Sequence, residues 1–192
     1  MLAAADSPVN PYRLSLSLAE AVDDDAIITL DIGSFTHWFD LGFRTREHTI
    51  LISPTWRAVG SWLPAAIAAR LAYPERQVVA LVGDGGFMAS LGELATAGHY
   101  QLPIAVIVIR NDGYDIEAQK MQRQGFTTLG THPARIDFVA FARACGAQAR
   151  TVSSARHLSA ALRDALAGSP GGSAVPVVID VAAAAPALPH LA

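Results

Sequence analysis

Two turns hold the residues of this chain best suited to chemistry. Gly83-Asp84-Gly85-Gly86 follows an apolar run from Gln77 to Val82, and Asn111-Asp112-Gly113 follows the next such run, Ile104 to Ile109, with Asn111 standing 27 positions after Asp84. If the runs are neighbouring parallel strands, both turns leave the same end of the sheet, and a carboxylate and an amide oxygen converge on one hard cation. Magnesium takes octahedral oxygen at about 2.1 Å and completes its shell with substrate phosphates and water. Asp84, the side-chain oxygen of Asn111 and the backbone carbonyl of Gly113 would supply three oxygens and leave places for phosphate. Gly85 and Gly86 lack a Cβ, so their N–H groups can approach an anion closely. A helix expected to begin near Phe87 would aim its positive end at the same point.

Taken singly, Gly-Asp-Gly is ordinary turn chemistry. The dinucleotide fingerprint G-x-G-x-x-G fails because Met88 stands at the third glycine position, and no G-x-x-x-x-G-K-[ST] loop occurs. The flanking elements give the turns their meaning. Periodicity predicts helix 12–22, strand 26–30, strand 49–52, helix 64–72 with Pro64 in its first turn, and strand 77–82. Helix 87–100, strand 104–109, helix 116–123, helix 136–145, strand 149–152, helix 155–166 and strand 175–181 follow. Strand runs such as Val106-Ile107-Val108-Ile109 lack polar alternation, as expected when helices cover both faces of a sheet. The expected fold class is α/β, a doubly wound, mostly parallel sheet whose ligand lies at the carboxyl ends of the strands. The domain expected is 12–181, with an N-terminal extension 1–11 and a C-terminal tail 182–192 that reads as a loose end or a strap.

These blocks resemble the thiamine diphosphate motif, GDG followed some 25 to 30 residues later by Asn, of the pyruvate decarboxylase and acetolactate synthase superfamily. The resemblance extends over Asp31-Ile32-Gly33, Trp56 to Ala68, Gly83 to Ala97 and Asn111 to Glu117. It implies the thiamine diphosphate-binding fold, with thiamine diphosphate and Mg2+ as cofactors. Asp84, Asn111 and Gly113 match the family's metal ligands, and Gly33, Gly83, Gly85 and Gly86 fall in its diphosphate-binding blocks, where relatives often carry Ser at the position of Gly86. Val59 falls where a bulkier Met, Ile or Leu wedges the cofactor into a bent shape, so a weaker wedge is expected here. Ala58 matches a position whose backbone carbonyl meets the aminopyrimidine. Arg57 departs from the pattern and reads either as a solvated or interface charge or as a contact for a substrate carboxylate. Ile116 would face the thiazolium ring. Glu117, within N-D-G-Y-D-I-E, matches a glutamate that in the 2-oxo acid decarboxylases reaches the substrate. A semi-enclosed apolar site would raise its pKa and suit it to delivering a proton; the alternative is an exposed carboxylate favoured by the start of a helix. Asp115 reads as a helix cap.

In that family the glutamate that hydrogen-bonds the aminopyrimidine comes from another domain across a subunit interface, and 192 residues accommodate one α/β domain. The resemblance therefore implies a half-enzyme, either a separately encoded diphosphate-binding subunit or a fragment of a longer protein; the opening Met favours the first. Its partner would be a pyrimidine-binding subunit in an α2β2 heterotetramer. Composition agrees: 52% hydrophobic and 16% charged residues are apolar for a small domain that meets water on every side. A net charge of −3 gives no basic field for nucleic acid. No apolar run approaches a membrane span and no leader pattern opens the chain, so a cytoplasmic location is expected. The single cysteine, Cys145, accords with a reducing compartment and, beside Phe138, Phe141 and Ala142, with packing rather than catalysis.

Three functions compete. One is non-oxidative decarboxylation of a 2-oxo acid with release of an aldehyde, favoured by Glu117. Another is an acetolactate synthase-like carboligation giving an acyloin, favoured by G-E-L-A-T-A and L-P-A-A-I-A. The last is a non-catalytic cofactor-binding or scaffolding subunit. The polar segment from Gln119 to His132 reads as a lid over the site. His132 and His37 are the histidines expected nearest to it, each either catalytic or an ordinary polar residue, with His48, His99, His157 and His190 behind them.

Overall fold

The computed structural model describes residues 7–53, 55–167 and 175–188. Six parallel strands form one sheet: β1 (Ile27–Leu30), β2 (Thr49–Ile52), β3 (Val78–Gly83), β4 (Ala105–Arg110), β5 (Gln148–Val152) and β6 (Val177–Ala182), in the order β2-β1-β3-β4-β6-β5. Its strands are packed on both sides, and the residue pattern shows how. Along β3, Val79 and Leu81 join a core with Leu14, Leu18, Phe35, Phe39, Leu158 and Leu162, whereas Val78, Ala80 and Val82 join another with Trp62, Leu63, Phe87, Leu94 and Phe138. Successive side chains point to opposite faces of a strand, so two buried faces require the unbroken apolar run the sequence displays.

Helices α1 (Pro11–Ala21), α2 (Phe35–Gly42) and α8 (Ala155–Leu166) contribute to the first core. Helices α3 (Trp62–Ala72), α4 (Asp84–Ser90), α5 (Glu93–His99) and α7 (Phe138–Ala144) contribute to the second. Helix α6 (Asp115–Arg123) buries none of its residues and runs beside the turn after β4. Local chemistry accounts for the helix starts: Pro11 sits in the first turn of α1 while the Asn10 side chain accepts from the Tyr12 N–H at 2.9 Å, and Asp137 caps α7 by accepting from the Ala140 N–H at 2.9 Å. Cys145 is half-buried against the second core. Among the described residues, no helix is long and apolar enough to cross a membrane.

Several expectations need correction. The continuous helix expected over 87–100 is two helices, α4 and α5, and α4 begins at Asp84. Gly92 is the weak point: Leu94 N–H donates to the Leu91 carbonyl and Ala95 N–H to that of Gly92, three-residue bonds that interrupt the α-helical ladder. Helix α2 was not expected at all. Its start has no side-chain cap, and its signal is only the buried 3–4 spacing of Phe35, Trp38, Phe39 and Gly42. Val9 forms a bridge with Ala183 and is fully buried, so the chain on either side of 12–181 is stitched to the sheet at this point.

Candidate functional site

The sheet order reverses at β1, which pairs with β2 on one side and β3 on the other. Connections from β1 and β3 depart on opposite faces at such a point, and a crevice opens between their carboxyl ends. Gly83 pairs with Ile109 across β3 and β4, so Asp84 and Asn111 leave adjacent strand ends within two residues of the same rung. A cleft of about 100 Å3 at this place is lined by Gly33, Val59, Gly83, Asp84, Gly85, Gly86, Asn111, Gly113, Ile116 and Glu117, together with Ile32, Ser34, Phe35, Ile109, Tyr114 and Asp115. Of the residues singled out from sequence, Ala58 does not line it; it is exposed beside Val59.

Asp84 ties the two turns together. It is 6% exposed; one oxygen accepts the Gly85 N–H at 2.8 Å and the other the Gly113 N–H at 3.1 Å. Each carboxylate oxygen retains a second lone pair for a cation. Burial raises its pKa above the usual carboxylate value, backbone N–H groups of Gly85, Gly113 and Asp112 oppose that rise, and the charge of Asp112 adds to it. Among the described residues no cluster of three or more His, Cys, Asp or Glu forms a metal cage. A carboxylate, an amide oxygen and a backbone carbonyl, the groups that Asp84, Asn111 and Gly113 carry here, are all hard oxygen donors.

Between Asn111 and Gly113, Asp112 has φ +63. Its carboxylate is held by Arg110 Nη1 at 3.4 Å and Arg135 Nη2 at 2.9 Å, and Arg110 Nε also binds the buried Asp180 at 2.9 Å. Thr131 closes on the turn from outside, its carbonyl accepting the Tyr114 N–H at 2.8 Å, and a Cβ on Gly113 would lie 2.7 Å from that carbonyl. The segment expected as a lid thus begins inside α6 and ends against the turn. His132 lies there too, its Nδ1 3.1 Å from Thr131 Oγ1, and lines an adjoining cleft of about 590 Å3 that shares Asn111 and Gly113 with the first. His37 lies in α2, and His190 is outside the described residues.

Since α4 starts at Asp84, Gly85 and Gly86 are its first-turn residues, whose N–H groups lack helical carbonyl partners. Tyr114 lies over Gly85, where a Cβ would stand 2.4 Å from Tyr114 Cε1. Glu117 is exposed on α6, so the described residues of this chain do not provide the enclosure expected around it. Asp115 is not the cap: it is the first residue of α6, and its carboxylate accepts from Gln119 Nε2 at 2.9 Å. Arg57 is exposed with φ +47, and Val59 is 47% exposed.

Asp31, quoted in sequence only as part of a matching block, is fully buried. Its Oδ1 accepts the Gly60 N–H at 2.9 Å, whereas Oδ2 has no partner. Burial pushes the carboxyl up to about 6, against the pull of N–H groups of Gly60, Ile32 and Ser61. The available signal was a carboxylate directly after a short strand, Ile27 to Leu30, buried along its whole length and apolar but for Thr29.

Residues 31–181 match the family of thiamine pyrophosphate enzymes, C-terminal TPP binding domain. The chain is 37% identical over 178 residues to a Bacillus subtilis (strain 168) protein, YdaP, described as thiamine pyrophosphate-containing, covering 92% of this chain and 30% of that one. It is 36% identical over 173 residues to acetolactate synthase of the same organism, covering 90% and 30%. Thiamine diphosphate-dependent 4-hydroxybenzoylformate decarboxylase of Rhodococcus jostii RHA1 superposes with a TM-score of 0.84 at 27% identity, covering 95% of this chain and 34% of that structure. The chain thus spans about a third of the length of the relatives it matches.

Proposed function

The chain belongs to the thiamine pyrophosphate enzymes through their C-terminal TPP binding domain, and from that membership we propose that it is the diphosphate- and magnesium-binding subunit of a two-component enzyme that decarboxylates a 2-oxo acid and releases an aldehyde. The observation that carries the reading is the cleft between β1 and β3, where Asp84, the first turn of α4, the 111–113 turn and Glu117 meet.

The residues fit thiamine diphosphate and Mg2+ on their own chemistry. Asp84, the Asn111 amide oxygen and the Gly113 carbonyl are hard donors in an open set, matched to a magnesium ion that shares its shell with phosphate. The first turn of α4 at Gly85 and Gly86 would turn the positive end of a helix to the phosphate, with the Gly85 N–H already given to Asp84. The bound cofactor supplies a nucleophilic carbon that lets a 2-oxo acid lose carbon dioxide. The chain would do the rest by position: Asp84 holds the two turns at one separation, Val59 and Ile116 would border the organic part, and Glu117 would stand at the mouth of the cleft for the proton transfer to the product carbon.

Trp56 is 88% exposed, Leu51 and Ile52 are exposed on the edge strand β2, and Val59 is exposed at the cleft. These exposed apolar side chains, and the exposure of Glu117, support a site completed by a pyrimidine-binding partner in an α2β2 assembly. A carboligase of the acetolactate type is the second reading, favoured by the acetolactate synthase relative at 36% identity; with no turnover, the chain would serve as a cofactor-binding subunit. Calorimetric titration of Mg2+ and thiamine diphosphate into this chain, and into its mixture with the partner, tests the half-site. Tight binding in the mixture alone is expected; equal affinity without the partner would refute it. Product analysis of the mixture supplied with a 2-oxo acid then gives aldehyde for the proposed reaction and acyloin for the alternative.

A further inference from the structure

Three buried groups behind the cleft form a closed junction. Asp31, one residue beyond β1, anchors Gly60 through Oδ1, and Gly60 at φ +94 immediately follows Val59. Asp31 Oδ2 lies against Gly86, where a Cβ would come within 1.9 Å of it. From the other side, the fully buried Trp62 donates its Nε1 hydrogen to the Gly86 carbonyl at 3.1 Å. The Trp62 carbonyl in turn accepts from Thr29 Oγ1 on β1 at 3.0 Å, and its ring stacks on Phe87 with centroids 5.6 Å apart. Segment 60–62 therefore cannot slide relative to Gly86 without stranding a buried polar group or opening an aromatic contact, both of which are costly.

Resting on the cofactor reading above, we propose that this junction fixes the spacing between Val59 and the Gly85–Gly86 turn, with Asp31 and Trp62 as positioning residues for the organic half of the cofactor. Val59 is half-exposed and makes no polar tie of its own among those described, so its place follows from Gly60. The diphosphate turn, by contrast, is also held by Asp84. Loosening the junction should therefore shift Val59 and leave the phosphate cradle intact.

Two ligands separate these effects: thiamine diphosphate uses the whole span, whereas inorganic pyrophosphate with Mg2+ uses the cradle alone. In the complex with the partner subunit, Trp62→Phe keeps an aromatic ring against Phe87 but loses the N–H. Its thiamine diphosphate Kd should rise about 10-fold, the worth of one ordinary hydrogen bond, with the magnesium pyrophosphate Kd unchanged. Asp31→Ala attacks the junction from its other side and should give the same split, which keeps the test sound if one variant fails to fold. Equal loss of both ligands, or loss of neither, would overturn the positioning role while leaving the cofactor assignment standing. A wild-type complex that binds neither ligand would overturn the cofactor reading, and this inference with it.

Discussion

Replacing Asp31 with Asn should change how stability depends on pH. The carboxyl is fully buried with one oxygen unpartnered, and its pKa rises from 3.8 unfolded to about 6 folded. The folded chain therefore holds this proton where the unfolded chain has released it. Stability from this group is full below about pH 4, declines as pH climbs, and is lost above about pH 6. A shift of about 2 units at 1.36 kcal/mol each sets the loss at roughly 3 kcal/mol. Asn has no proton to lose, so relative to wild type the variant should gain up to about 3 kcal/mol between pH 4 and pH 7, or roughly 6–12 °C in melting temperature for a chain of this size. Asp84, whose pKa also rises on burial, is present in both proteins and cancels in the difference. Urea denaturation of the two chains across that range measures it. Parallel stability curves with a constant gap would show that Asp31 is not held as the structure describes.

Other substitutions probe separate parts of the account. Gly98→Ala would place a Cβ 2.0 Å from the Cys145 carbonyl, a backbone atom that cannot swing away; a loss of about 1–3 kcal/mol is expected in thermal or urea melts, the usual cost of overpacking. Gly113→Ala pushes the same way on Thr131 and should weaken magnesium-dependent cofactor binding about 10-fold by calorimetry, the equivalent of roughly 1.4 kcal/mol. Glu117→Gln should leave cofactor affinity intact and slow product formation about 100-fold or more, within the usual range for a lost acid–base group; an unchanged rate would remove its role.

Much of the fold was legible because it rests on local signals. The apolar runs ending at Val82 and Ile109 lack alternation, which two-sided burial demands, and they do pair in parallel with Asp84 and Asn111 at adjacent ends. The helix over 155–166 was legible in full from its apolar spacing. What was not legible depends on distant contacts. Helix α2 has no side-chain cap and is held by its buried aromatic face, and the break at Gly92 comes from a local shift to three-residue bonds that helical periodicity does not register. Asp31 is buried by distant parts of the chain and tied to Gly60, 29 residues away, and Asp112 is held by Arg135, 23 residues away, as well as by its near neighbour Arg110. Gly60 and Arg135 are both far in sequence from the carboxylates they hold. The enclosure expected around Glu117 is not found among the described residues, where its side chain is exposed on α6.

The central claim is that Asp84, Asn111 and Gly113 jointly hold the ion that anchors the diphosphate. Its most direct measurement is a crystal structure of the chain with its partner, thiamine diphosphate and Mg2+, together with calorimetry of Asp84→Ala. The account predicts the ion at about 2.1 Å from all three oxygens and no measurable cofactor binding by the variant. An ion seated elsewhere, or undiminished affinity in Asp84→Ala, would contradict it.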